Sequence, residues 1–533
     1  MSGTRGTARG RGGHSRGKNS TGRNSKGRSS TGHLFASTLA KLVRTWPTLL
    51  LTVLLLVLAL PAGMLIAPAF TGSAQSTAQP ARTPAWQLVP DRLSVPQGID
   101  PLSTAAPVPV PAEVAARLDP VLKTDGGGTF TAVVQDAATG KVLYDRDGTA
   151  NRIPASNMKL LTAVAALRGI GPEERFSTKA LAVPAAATPG AATPGAATPA
   201  GATRSVVLVG GGDVLLGAGE SAEDRILGHA GLATLAKQTV DSLRKGGFKG
   251  QIQVLVNDSL FTGSALNPAW SPDDVAAGET APLFPLALNS ARFDPADTTA
   301  ARPQDSALAA GEAFAAGLKA AGAAAGVTVA PAVVRLDGKP AADAKVLAEV
   351  QSATVSQQVD LMLQTSDNYL AETLGRMTAV AAGQPGTNSS ARAAVLNELA
   401  GLGIPTDGMV AADVSGLALD NQVSARQFAE VVRAITNGKD TRLRAALAGF
   451  PVAGLTGTLG DRYIDESTAE GAGLVRAKTG TLNTVIALSG YVVDADGRLL
   501  VFSFIGNGLT PGTGGNKPAL DTAATALAGC GCS

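Results

Sequence analysis

Four consecutive residues, Ser156-Asn157-Met158-Lys159, place a hydroxyl and an amine three positions apart. At the start of a helix such residues share a face, so the Lys159 amine can reach the Ser156 hydroxyl. A lysine can activate a serine nucleophile if it is held neutral. Bringing its pKa from about 10.4 to near 7 costs about 4 kcal/mol. Burial and a neighbouring cation act in that direction. The helix N-terminus also offers backbone N–H groups to developing negative charge. The same spacing recurs at Ser15/Lys18 and Ser242/Lys245, so the tetrad alone carries little weight. The histidines are His14, His33 and His229. The first two lie in an N-terminal tail, and no motif surrounds His229, which reads as a surface or helix-cap residue. A Ser-His-Asp triad or a histidine-rich zinc site is therefore not expected.

Two further motifs give Ser156 company. Ser366-Asp367-Asn368 is the sole Ser-x-Asn of the chain. Its hydroxyl can relay a proton towards a leaving amine, and the Asn368 amide can bind a carbonyl and hold Lys159. A helix cap is the other use of such residues. Lys478-Thr479-Gly480-Thr481 holds the sole Lys-Thr-Gly. A cation and two hydroxyls there suit a substrate carboxylate, and Gly480 would let a ligand approach the backbone. The Thr481 N–H can pair with that of Ser156 as an oxyanion hole. A tight turn into a strand is the simpler alternative.

In this order the three motifs resemble the signature of penicillin-binding proteins and class A β-lactamases. Ser156 and Ser366 are 210 residues apart in the numbering. That long interval is similar to the D-alanyl-D-alanine carboxypeptidase/endopeptidase group, the low-molecular-mass class C penicillin-binding proteins. Gly210-Gly211-Gly212-Asp213, Ala371-Glu372 and Asp413-Val414-Ser415-Gly416-Leu417 agree with it, except that Val414 stands where the family often has Gly. The resemblance covers about residue 110 to the C-terminus. It implies an α+β fold of the penicillin-recognising serine hydrolase type, with an antiparallel sheet flanked by helices, a helical lobe, and a large insert between the first two motifs.

The resemblance also implies roles. Ser156, activated by Lys159, attacks the carbonyl between two D-alanines of a peptidoglycan stem peptide. Lys478, Thr479 and Thr481 hold the terminal carboxylate, and Ser366 relays the proton to the departing D-alanine. Asn368 completes the catalytic group. β-Lactams should acylate Ser156 and leave slowly. Neither a metal nor an organic cofactor is implied. A β-lactamase, or an idle wall-binding protein of the same fold, is the alternative. The balance of carboxypeptidase and endopeptidase action is open.

The elements that must position these residues can be read coarsely. An amphipathic helix is predicted from Val110 through Lys123, then a hairpin of Phe130–Asp136 and Lys141–Asp145, then a helix over Asn157–Leu167. Strand-like runs Thr178–Val183 and Ser205–Val209 flank a Thr-Pro-Gly-Ala-Ala repeat at 187–203, which reads as a flexible insertion at a hairpin tip. Helices are predicted at Leu232–Lys245, Ser306–Ala321 and Ser356–Ala382, with a strand at Gln251–Val256. Lys478 should start a strand after Leu474–Ala477. Strands Val485–Val493 and Leu499–Ile505 follow, and a helix near Pro518–Ala528 closes the chain. Both chain ends should therefore build one sheet. The peptidase domain is expected at 110–180 and 345–533, with inserted material at 181–344.

The 533-residue chain carries 45 Lys/Arg, 42 Asp/Glu and a net charge of +3, unevenly distributed. No acidic residue precedes Asp91, while residues 1–90 hold eleven basic ones; the remainder has 34 basic against 42 acidic. Residues 1–44 read as a disordered basic tail. From Thr45 to Phe70 there is no charge, which is long enough for one membrane-spanning helix. Lys41 and Arg44 would keep the tail cytoplasmic. Residues 71–109 read as a Pro/Ala-rich linker. The expectation is a single-pass membrane anchor with an extracytoplasmic catalytic domain, secreted if the segment is instead a cleaved signal. Nucleic acid is not an expected partner. Cys530 and Cys532 are too close for an unstrained bridge and read as an incidental, flexible terminus.

Overall fold

The first sheet joins the two ends of the catalytic region. The computed structural model describes residues 102–103, 105–183, 203–297 and 300–533. Strands β1 (Gly127–Asp136) and β2 (Val142–Arg146) form the expected hairpin. β13 (Arg476–Leu482), β14 (Val485–Val493) and β15 (Leu499–Thr510) form a meander. The order is β13-β14-β15-β1-β2, antiparallel throughout, with β1 against β15 closing the sheet. β14 and β15 are rich in β-branched and aromatic residues suited to a pleated buried surface.

One face of the sheet is covered by helix α1 (Pro111–Leu118) and the last helix, α9 (Lys517–Ala528). α1 is shorter than predicted. Pro111 sits in its first turn, where a missing N–H costs nothing, and Pro120 prevents continuation beyond Asp119. The expectation for the cysteines is also corrected. Cys530 and Cys532 are paired with each other and buried in the core with Val114 and Leu118. The Cys532 carbonyl accepts the Val110 N–H at 2.7 Å. The terminus is therefore packed against the first helix, a tertiary fact that spacing could not reveal.

The opposite side holds α2 (Met158–Gly169), which lies at the centre of the largest core. Every residue from Met158 to Leu167 is fully buried, so the helix has no polar face to show in its sequence. Around it stand α5 (Val355–Thr365), α6 (Asn368–Ala381), α7 (Asn388–Ala400) and α8 (Ala425–Thr436). The single helix predicted over Ser356–Ala382 is two. Ser366 adopts φ 58° and stops α5, and the Asp367 side chain accepts the Leu370 N–H at 2.9 Å to start α6. β3 (Asn151–Arg152) and β12 (Val423–Ser424) make a small pair nearby.

A second sheet follows the order β10-β7-β5-β4-β11, with β9 also on β7. Its strands are β4 (Ser177–Ala182), β5 (Thr203–Val209), β7 (Gly250–Asn257), β9 (Val327–Val329), β10 (Val334–Arg335) and β11 (Lys345–Gln351). It thus takes residues on both sides of the 181–344 interval, because β4 pairs antiparallel with β11. Helices α3 (Leu232–Lys245) and α4 (Ser306–Gly322) pack on it. β6 (Asp213–Leu216) and β8 (Leu286–Leu288) form a separate parallel pair. All of this belongs to one unit, Ile99–Ser533.

The basic tail, the uncharged 45–70 stretch, the linker up to residue 101 and the repeat as far as residue 202 lie outside the described residues. Among the described residues no helix is long and apolar enough to cross a membrane.

Candidate active site

Ser156 sits in a short turn, Ala155–Asn157, that leads directly into α2. Ala155 holds φ 48°, a left-handed conformation that costs an alanine roughly 1–2 kcal/mol. Two glycines make that turn possible. A Cβ on Gly416 would lie 1.9 Å from the Ala155 carbonyl oxygen, and one on Gly480 would lie 3.0 Å from the Pro154 oxygen and 3.1 Å from Ser156 N. Asn157 fastens the turn from below: its Nδ2 donates to Ser489 Oγ at 2.7 Å, and Ser489 donates to Ser503 at 2.8 Å. Gly480 therefore makes room for the serine turn.

Lys159 is fully buried one helical turn on. Its Nζ lies 3.0 Å from Ser156 Oγ, 2.6 Å from Asn368 Oδ1 and 2.7 Å from the Ser415 carbonyl oxygen. A neutral amine has two N–H groups and one lone pair. Asn368 and Ser415 can accept both N–H groups, which leaves the lone pair for the Ser156 hydroxyl proton. Burial brings the Lys159 pKa down to about 8, against the opposing pull of Asp413, Asp367, Glu372 and Glu279. An amine of that pKa can take a proton near neutral pH.

The second motif closes on the same atoms. Asn368 Nδ2 donates to the Glu279 carbonyl at 3.0 Å, which turns its oxygen towards Lys159. Asp367 accepts from Ser290 Oγ at 2.9 Å and Arg292 Nη1 at 2.6 Å. Burial alone would raise its pKa, but Arg292 and Arg302 outweigh that and hold the carboxyl below its ordinary value. Ser366 Oγ accepts from Lys478 Nζ at 3.0 Å.

The third motif lies within β13, which begins earlier than predicted, at Arg476. Lys478 is fully buried, donates to the Thr479 carbonyl at 2.7 Å, and has its pKa pushed well down by burial and by the charge of Lys159. It stands behind Ser366, whereas Thr479 and Thr481 line the cleft. Thr479 Oγ1 is 2.7 Å from Thr458 Oγ1. The cleft has a volume of about 1010 Å³; its wall also includes Ser156, Ser366 and Asn368.

All eight residues singled out from the sequence thus meet around one cleft. The sequence reading quoted Glu372 and the Asp413 loop for the resemblance but gave them no part in holding these residues. Glu372 Oε1 accepts the N–H groups of Val414 and Ser415, at 2.9 and 2.8 Å, and so anchors the loop; the Ser415 carbonyl shares its peptide plane with the Gly416 N–H, which Asp413 accepts, and meets Lys159 from there. Burial, with the Asp413 charge, raises the Glu372 pKa to about 7. Asp413 gathers the loop, accepting from Gly416 N, Leu417 N, Ala418 N and Trp270 Nε1 at 2.8–3.0 Å. Glu372 lies four residues after Asn368, the spacing that shares a helix face, and this was the available signal. Val414 is not at a positive φ, so a β-branched residue fits; its side chain fills the space left by Gly375. His229 lies outside the cleft wall, with Nδ1 3.0 Å from the Arg225 carbonyl oxygen and Nε2 2.9 Å from Arg175.

Fold and site together define a penicillin-recognising serine hydrolase: an antiparallel sheet against an all-buried helix that opens with Ser-x-x-Lys. The sequence model of the D-Ala-D-Ala carboxypeptidase 3 (S13) family matches residues 114–307 and 294–527, and the chain belongs to that family. It is 35% identical to a carboxypeptidase of Mycobacterium tuberculosis over 82% of this chain and 88% of the relative. It is 34% identical to carboxypeptidase DacB of Mycolicibacterium smegmatis over 89% of this chain and 96% of that one. The crystal structure of penicillin binding protein 4 from Haemophilus influenzae has the same fold, with a TM-score of 0.59 at 19% identity, covering 78% of this chain and 98% of that one.

Proposed function

We propose that the protein is a serine-type D-Ala-D-Ala carboxypeptidase that works on peptidoglycan stem peptides through an acyl-enzyme on Ser156. The observation that carries this reading is the Lys159 amine 3.0 Å from Ser156 Oγ, with acceptors in place for both its N–H groups. In this reading Ser156 Oγ attacks the carbonyl between the two D-alanines while Lys159 takes its proton. The N–H groups of Ser156 and Thr481 receive the oxyanion. Thr479 and Thr481, with Lys478 behind them, hold the free carboxylate; the bound anion restores the charge that burial takes from Lys478. As the C–N bond breaks, a proton passes through Ser366 to the departing D-alanine. Water then hydrolyses the ester.

A β-lactam presents the same acyl group and carboxylate and should acylate Ser156. Incubation with a stem pentapeptide tests the reading: one equivalent of free D-alanine per peptide is expected, and rapid turnover of penicillin without D-alanine release would point to a β-lactamase. A second reading, cleavage of cross-links, is favoured by the continuation of the cleft past Thr479 to Asp461, Arg462 and Lys517. A single departing D-alanine does not need that length. Release of monomers from a cross-linked muropeptide dimer checks it.

The uncharged 45–70 stretch behind Lys41 and Arg44 supports a single-pass anchor with the catalytic domain outside the cell. Retention in membranes after alkaline extraction, with the catalytic region open to added protease, is the expected outcome.

A further inference from the structure

Three successive residues without a glycine, Asn289, Ser290 and Ala291, hold φ values of 52°, 57° and 54°. Left-handed residues normally occur singly. A run of three persists only where its surroundings over-determine it, and such strain concentrates at functional sites. The turn follows β8 in the inserted segment. Its backbone is tied to β6: Ser290 N donates to the Val214 carbonyl at 2.7 Å, and Asn289 N to the Leu216 carbonyl at 3.1 Å. From there Ser290 Oγ reaches Asp367, beside Arg292.

Arg302 ties this turn to a second segment. It is 5% exposed, and its bonds go to backbone carbonyls. Nε donates to Gly278 at 2.6 Å, Nη1 to Ser290 at 2.9 Å and Nη2 to Glu279 at 3.3 Å. The Glu279 carbonyl is the one that receives the Asn368 amide. An amide whose nitrogen is committed to a carbonyl must turn its oxygen the other way, here to Lys159 at 2.6 Å. Without that carbonyl the Asn368 side chain could rotate, present N–H to the amine, and misdirect its lone pair.

We propose that the Asn289–Ala291 turn and Arg302 form the positioning element of the Asp367–Asn368 step, with Arg302 setting the Glu279 carbonyl that orients Asn368 towards Lys159. The proposal rests on the reading of Lys159 as the base for Ser156. Arg302 is a positioning residue. It acts through Asn368, so its loss should slow acylation and leave substrate affinity nearly unchanged.

The test is the acylation of the full chain by a fluorescent penicillin, resolved into affinity and maximal rate, with the melting temperature of each variant. Arg302→Met should lower the maximal rate by roughly tenfold or more at nearly unchanged affinity. Arg302→Lys, which keeps a donor for one or two of the carbonyls, should recover part of it. The double variant Arg302→Met/Asn368→Ala should be no slower than Asn368→Ala alone, since both act on one contact. A folded Arg302→Met variant that acylates at the wild-type rate, or losses that multiply in the double variant, would overturn the proposal. If Arg302→Met does not fold, Ser290→Gly decides. Glycine accepts the positive φ but removes the hydroxyl on Asp367, so a loss of roughly threefold or more is expected, and an unchanged rate overturns the proposal. A wild-type chain that takes no label on Ser156 would instead sink the underlying reading, and the proposal with it.

Discussion

Lys159, Lys478, Glu372 and Asp413 are all fully buried beneath Ser156, whereas the second sheet closes over Val206, Leu208, Ile252, Val254, Phe314 and Leu318. The second arrangement is held by removal of apolar surface from water, worth about 25 cal/mol per Å². The first works against stability. Each buried charge loses hydration worth several kcal/mol, and only well-placed partners return it. In the cleft floor those partners come from distant parts of the chain: Asn368, Ser415 and the Glu372 carboxyl. The inserted sheet can thus tolerate exchange of one aliphatic residue for another, while the floor depends on particular atoms at particular distances.

Ser156→Ala should abolish covalent penicillin labelling, and Lys159→Met should lower its rate by at least about 10³-fold with the melting temperature held or raised. A labelled Ser156→Ala chain would break the contrast at its root. Gly416→Ala comes next. Its Cβ would collide with the Ala155 carbonyl, and its backbone φ of 87° is foreign to alanine. A stability loss of about 2–4 kcal/mol is expected, with a larger proportional loss of acylation, read by denaturant unfolding and labelling of the same sample.

The acylation rate itself should follow the neutral fraction of Lys159. With a pKa of about 8, the rate should rise roughly tenfold per pH unit below that value and level off above it. A flat profile between pH 6 and 9 would show that Lys159 is not the base.

Two raised carboxyl groups sharpen the comparison further. Glu372 in the floor and Asp213 at the start of β6 both have pKa values pushed up to about 7, the first by burial and Asp413, the second by burial. A carboxyl with a raised folded-state value contributes most at low pH and loses its contribution as pH climbs. For Glu372 the window is 4.5 to about 7, and about 3 kcal/mol is at stake. Glu372→Leu should flatten stability against pH across that window and also slow acylation, because the N–H groups of Val414 and Ser415 lose their acceptor and release the loop that brings the Ser415 carbonyl to Lys159. Asp213→Asn should flatten stability from 3.8 to about 7 and leave acylation within about twofold of wild type. Equal effects of the two variants on acylation would erase the distinction between floor and insert.

Much of the site was legible because its chemistry is local. Ser156 and Lys159 share one helix turn, Ser366 to Asn368 span a helix start, and Lys478 to Thr481 lie along one strand. The first hairpin, from its alternation, and the closing meander, from the turn residues 494–497 between two apolar runs, were legible for the same reason, as both are short-range patterns. The helix over Asn157–Leu167 was read from its lack of breakers, since α2, buried all round, has no amphipathic face; the cap at Ser366–Asn368 was an open alternative, and the positive φ of Ser366 that ends α5 before it left no local mark.

The sequence by itself determined which three motifs exist, their order, and that no histidine accompanies them. Tertiary structure alone decided that Gly480 and Gly416 shape the Ser156 turn, that Lys478 stands behind Ser366, that Cys530 and Cys532 are buried, that Glu372 and Asp413 fix the loop whose Ser415 carbonyl meets Lys159, and that Arg302 holds the carbonyl that meets Asn368. The physical reason is separation along the chain. A carbonyl oxygen carries no residue identity, so an interaction that ends on one leaves no mark in the sequence until folding brings the two segments together.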